Sequence, residues 1–197
     1  IDTPSGAKRV ETLHVGDQVN TRHHGAQTIR WIGKRSLKLA PYFPKDRFRP
    51  IETSIGALGQ GLPREPLRLS RQHRILVSSP VNQRMFGTPD SLIAAVKLID
   101  LTGIHIDTDC TEVTYIHLLF DQHEVIFANG APCESRHTGP EALKSISSAA
   151  RAELFAIFPE LMTAPSQHRL AALCPEKRQK RQLIARHKKN KQPLLCP

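Results

Sequence analysis

Over the first two thirds of the chain, apolar positions come in short bursts, each closed by Gly, Pro or charge, and most alternate as in a half-buried strand. "VETLHVGDQVN" places Val10, Leu13, Val15 and Val19 around Gly16-Asp17 and predicts two short strands about a turn. "TIRWIGKRSLKL" sets Ile29, Trp31 and then Ile32 against basic neighbours, a strand with a bulge where the parity slips. "APYFPKDRFRP" and "IGALGQGLPREP" read as loops from their Pro and Gly content. "LRLSRQHRILVSS" returns to strand, and after "PVNQRMFGTPD" the apolar run "SLIAAVKLIDL" fits strand or helix. "TEVTYIHLLF" and "HEVIFANG" predict two more strands, with Asp121-Gln122 as a tight connection and Asn129-Gly130 as a turn.

The period then changes. Leu143, Ile146, Ala150, Leu154 and Ile157 recur at spacings of three and four, and Pro159 and Pro165 close the pattern. Short strands with Gly/Pro turns predict an all-β body over 1–138, with one helix within 139–163 packed on it and a flexible basic tail over 164–197. There is no internal repeat.

Composition refines this picture. Of 197 residues, 39% are hydrophobic but only 5% aromatic, so the core is aliphatic and modest. No apolar run approaches the length of a membrane-spanning helix. The net charge of +10 points to nucleic acid until it is located. Residues 161–197 hold nine Lys/Arg against one Glu, whereas residues 1–160 hold 19 against 17. The basicity belongs to the tail, which reads first as a solvated extension and second as an arm for nucleic acid or an acidic surface. The tail lacks aromatics for base stacking, which counts against nucleic acid. Cys110, Cys133, Cys174 and Cys196 are widely spaced, so two disulfides and four free thiols both fit. The chain opens on Ile1 without Met, as expected of a fragment or processed product. Nothing in it separates an exported from a cytoplasmic protein.

Two groups of residues could carry chemistry. In Ser70-Arg71-Gln72-His73, positions three apart face opposite sides of a straight strand. If the chain bends there, hydroxyl and imidazole converge on one backbone group, to which the imidazole can donate a proton. His117, Leu119, Asp121 and His123 share one parity and line one face of an uninterrupted strand. A hairpin at Asp121-Gln122 would instead bring the two histidines from adjoining strands. Solvated or core histidines are the plainer reading of both groups. His23, His24, His105 and His117 add candidate metal ligands, but without H-E-x-x-H or a compact ligand pair no metal or other cofactor is expected. Cys133 and Ser135 are nucleophile types that also serve as small packing residues.

In order, these segments resemble the Hint (hedgehog/intein) superfamily, in particular bacterial Hint-domain proteins, over residues 1–160. "IDTPSGAKRVETLHVGDQV" is similar to the family segment T-x-x-G-x-x-x-V-x-x-L-x-x-G-D-x-V. "TIRWIGKRSL", "IGALGQGLP" and "LRLSRQHRILV" follow, with the S/T-x-x-H motif on Ser70 and His73. "YIHLLFDQHEVIFANGAPCES" resembles the C-terminal block, and "EALKSISSAARAELFAIFPEL" the trailing helix.

The resemblance implies a compact Hint β fold and a domain that rearranges its own backbone. A Cys or Ser attacks the preceding carbonyl, and water or a small nucleophile resolves the resulting thioester or ester. The substrate is then the chain's own N-terminal flanking polypeptide. His73 carries over as proton donor to the departing nitrogen, Ser70 as its orienting partner, and His123 as an aid to a later step. The family nucleophile belongs a few residues before Ile1, so the sequence as given is not expected to perform the first step. Glu134-Ser135 stands where inteins have His-Asn, which favours hedgehog-type cleavage or transfer over complete splicing. Inteins often have Asp where this chain has His117, whose role stays open. An idle Hint-like module is the alternative.

Overall fold

The computed structural model describes residues 1–39, 48–137, 147–157 and 170–196. The strands are β1 (Asp2–Thr3), β2 (Gly6–Ala7), β3 (Gln18–Thr21), β4 (Gly25–Thr28), β5 (Trp31–Lys38), β6 (Ile51–Thr53), β7 (Leu67–Leu69), β8 (Arg74–Ser78), β9 (Asp90–Ala94), β10 (Ile104–Ile106), β11 (Glu112–Leu119), β12 (Val125–Ala128) and β13 (Ala131–Glu134). The helices are α1 (Pro80–Phe86), α2 (Ser148–Ile157) and α3 (Lys177–Asn190). Among the described residues the strands form a six-stranded sheet in the order β4-β3-β12-β13-β8-β9, a three-stranded sheet β10-β6-β7, and the ribbons β5-β11 and β1-β2. The body is all-β, as the alternation predicts.

Local chemistry sets the junctions that matter. Asn129 and Gly130 have φ of 50° and 81°, the all-positive pair of a two-residue hairpin, and fold β13 back on β12 with Ala128 opposite Ala131. In β5 the Trp31 ring lies over Gly33, where a Cβ would stand 2.1 Å from the ring; His117 of β11 pairs opposite this glycine. β11 pairs β5, whereas β12 pairs β3 and β13. The chain therefore crosses between sheets at 120–124, pinned by buried Phe120, and forms neither a continuous strand nor a hairpin at Asp121-Gln122.

One segment differs from expectation, and one that the alternation left unassigned forms a helix. Val10–Thr12 is a 3-10 turn, not a strand, and leaves Leu13 buried but Val15 62% exposed. The stretch after β8 forms α1. Its Ser79 Oγ accepts from Asn82 N–H, Pro80 opens the first turn, and Gly87 closes the helix at φ 73°. The expected helix is described over Ser148–Ile157 with Leu154 buried; Leu143 and Ile146 lie outside the described residues.

The tail expected as a flexible extension is folded over most of its described length. Leu183 and Ile184 of α3, then Leu194 and Leu195, join the core cluster of Ile75, Val77, Val81 and Leu98. Residues 194–196 run beside the end of β8, where Ser78 N–H donates to the Leu194 carbonyl and Cys196 N–H to the Ser78 carbonyl. Four buried aliphatics are enough to order a cation-rich segment, since each contributes about 1.5–3 kcal/mol. Leu183→Ala is therefore expected to lower stability by about 3 kcal/mol in urea unfolding, where a solvated tail would leave the midpoint unmoved.

Ile1 packs against this core and against a second cluster built on Leu13, Val19, Ile29 and Phe120. The entering chain thus lies between the two cores.

Candidate functional site

His73 closes a turn. Its N–H donates to the Ser70 carbonyl at 3.0 Å, its carbonyl accepts from Ala95 N–H at 2.9 Å, and the Arg71 carbonyl accepts from Val96 N–H at 3.0 Å. β7 leads in and β8 leads out, so the bend required by the S-x-x-H reading is present. Ser70 and His73 line one cavity of about 130 Å³ with His117, Glu134 and Arg136. Ile1 lines the same cavity. Its nitrogen donates to the Lys8 carbonyl at 2.6 Å and its carbonyl accepts from Lys8 N–H at 2.8 Å, so the β1-β2 pairing reaches the first residue.

His73 Nε2 is buried and, among the described residues, has no hydrogen-bond partner, although the residue as a whole keeps some exposure. No hydrogen bond joins the Ser70 hydroxyl to the ring among the described residues. The His73 and His117 rings face each other nearly in parallel, 14° apart, with centroids separated by 6.4 Å. Burial holds the His73 ring below the ordinary imidazole value, partly opposed by the Glu134 charge. Burial, and then Arg136 and His73, push His117 down to about 3.

Glu134 is the residue that sequence reasoning missed. One carboxylate oxygen accepts from Arg74 N–H and the other from the Arg74 guanidinium, both at 2.8 Å. His123 Nε2 stands 3.4 Å from the second oxygen, a close approach outside hydrogen-bond geometry. Burial raises the Glu134 pKa, but His123, His73 and Arg74 outweigh it and bring the group down to about 2. Its apolar neighbours gave little reason to expect a fixed charge. The one sequence signal is an acidic residue in the last position of a buried strand.

His123 is fixed from the other side. Ala171 N–H donates to its Nδ1 at 3.1 Å, which places the proton of the neutral ring on Nε2, toward Glu134. A segment far along the chain thus sets the tautomer. The His123 and His137 rings meet edge to face at 5.0 Å. Asp121 is not brought to the histidines: its side chain is 63% exposed and stands 3.4 Å from Arg30.

The nucleophile-type residues of the last strand serve packing. Cys133 is buried opposite Ile75, its thiol donates to the Ala131 carbonyl at 3.5 Å, and burial pushes it up to about 12. Ser135 Oγ accepts from Glu124 N–H at 2.9 Å. All four cysteines are free. Among the described residues no cluster has the makings of a metal site, and no helix is long and apolar enough to cross a membrane.

The depressed histidines predict an acid-sensitive fold. The His117 pKa lies below its ordinary 6.5, so its contribution is complete above pH 6.5 and is lost as pH falls toward 3. His117 alone should remove about 2 kcal/mol of stability between pH 7.5 and 5. Glu134 adds nothing in that window, because its contribution is lost only below its ordinary 4.5. Urea midpoints across the window should show this slope, and His117→Gln should remove the share that His117 contributes.

A family model described as "Hint domain" matches residues 1–140. Comparison with curated proteins and with solved structures returned no match.

Proposed function

The chain belongs to the Hint domain family, a self-processing class, and from that membership we propose that it cleaves its own N-terminal junction by an N-to-S or N-to-O acyl shift, with His73 carrying the proton. One observation supports this reading above the rest. Ile1 and His73 line the same small cavity, and the ring's buried Nε2 has no partner among the described residues. In a longer precursor, the backbone preceding Ile1 would continue the β1-β2 pairing along this cavity.

A thiol or hydroxyl placed a few residues before Ile1 attacks the preceding carbonyl. Its proton passes to His73, which burial keeps neutral at rest. The imidazolium returns that proton to the nitrogen as the C–N bond breaks, leaving a thioester or ester and a free amine. The amide is the more stable partner, so the fold must hold the atoms in contact and offset the oxyanion charge. Arg136 on the cavity wall supplies a fixed cation. Ser70 orients the His73 ring when the nucleophile enters, and His123, set by Ala171 and facing Glu134, assists the resolving step. Water or a small nucleophile accepts the acyl group. Glu134-Ser135 supplies no asparagine to cyclise, so release of the N-terminal flank is the end of the sequence of steps.

The test is to express the reading frame with its natural residues upstream of Ile1. A new N-terminal fragment, released faster with dithiothreitol or hydroxylamine, is expected. An intact chain under both nucleophiles, or Ala or Gly at the attacking position, would mean an idle module.

A further inference from the structure

A second cavity, about 680 Å³, lies away from the histidines between α3 and the 3-10 turn Ala95–Lys97. Lys177, Lys180, Arg181, Ile184 and Lys188 line it at spacings of three and four, one stripe along the whole helix. Lys97 faces them from the opposite wall, and Val96, Ile99 and Ile184 supply an apolar floor. Asp100 is the one carboxylate in the lining, and among the described residues none of the five cations makes an ion pair.

Of these charges the fold explains Lys188, which stands in the last turn of α3 at the negative end of the helix dipole, but not those of the first turns. The first turn of α3 has no acidic residue, and its cations stand at the positive end of the helix dipole, each opposing the helix by about 0.3–1 kcal/mol. Lys177 repels Lys180 and Arg181 across one turn. A capping box from Glu176 and Gln179 holds the helix end instead. The cations at the start of the stripe are therefore left for something outside the chain.

Length and lining select among anions. From Lys177 to Lys188 the stripe runs about 16 Å, so a short amphipathic helical segment matches it in length. No aromatic residue lines it for stacking bases. The apolar floor between cationic walls matches aliphatic side chains flanked by carboxylates. We propose that this groove docks an acidic amphipathic peptide segment of a partner protein.

The full chain would be titrated with a fluorescent peptide of about 12 residues carrying Leu and Glu at helical spacing, the length of the stripe. Its Gln-for-Glu counterpart, single- and double-stranded DNA, and phosphatidylserine vesicles would be run beside it. Saturable binding to the acidic peptide is expected, weakening several-fold as salt rises and at least about tenfold for the Gln peptide. Lys180→Glu with Arg181→Glu should cost at least about tenfold, and so should Lys97→Glu, which lies off the helix and keeps the test valid if the double variant unfolds. Lys38→Glu, on an exposed strand elsewhere, should change nothing. Peptide binding indifferent to Lys97→Glu and to the double variant, or no binding at all, would overturn the proposal. So would tighter capture of DNA or vesicles that is lost with the same substitutions.

Discussion

Replacing His73 with Ala in the chain extended through its upstream junction is expected to slow release of the N-terminal fragment by at least about two orders of magnitude. The imidazole has two jobs in the proposed shift, taking the nucleophile's proton and delivering it to the departing nitrogen. Without it the amine must leave as an anion or await a proton from water. The ring is well placed for both, since turn hydrogen bonds fix its backbone at N–H and carbonyl, His73 lines the cavity, and its buried Nε2 has no partner among the described residues. Burial keeps it neutral, the state needed to accept the first proton. Release would be followed on denaturing gels over time, with the variant's unfolding curve measured alongside. Cleavage equal to that of the unsubstituted chain, from a folded variant, would remove His73 from the mechanism.

Glu134→Gln should lower stability by about 3 kcal/mol, within the range for breaking a buried ion pair. The carboxylate accepts from both the main chain and the guanidinium of Arg74. A glutamine offers one acceptor and turns an amide N–H toward a donor, leaving a mostly buried cation short of its partner. The same change removes the charge facing His123 and His73, so the His73 pKa should fall further. Urea unfolding would measure the first effect, and NMR titration of the ring protons the second. A change below about 0.5 kcal/mol would mark the pair as a surface-like contact.

The fold was largely legible in the sequence because its turns are chemically explicit. Asn129-Gly130 permits little but a tight hairpin, and the alternation in β5 and β11 survives as an eight-residue ladder. The bend at Ser70–His73 could be posed only as a condition, since it depends on main-chain bonds from Ala95 and Val96 that lie more than twenty residues along the chain. α1 was readable and missed: Ser79-Pro80 and Gly87 are start and stop signals around a segment too short to show a period. The tail misled for the opposite reason. Its composition is that of a solvated run, and burial of Leu183, Ile184, Leu194 and Leu195 depends on a core formed elsewhere in the chain. Within the cavity, His73 and His117 are legible as candidates from their positions, whereas Glu134 and the Ala171 contact to His123 are long-range pairings that no local pattern encodes.

The most direct measurement is mass spectrometry of the N-terminal fragment released from the extended chain in hydroxylamine. The account predicts a fragment ending at the residue before the attacking Cys or Ser and carrying a hydroxamate in place of a carboxylate, the mark of an activated acyl link. A break elsewhere in the chain, or a fragment with only a free carboxylate at every hydroxylamine concentration, would contradict it.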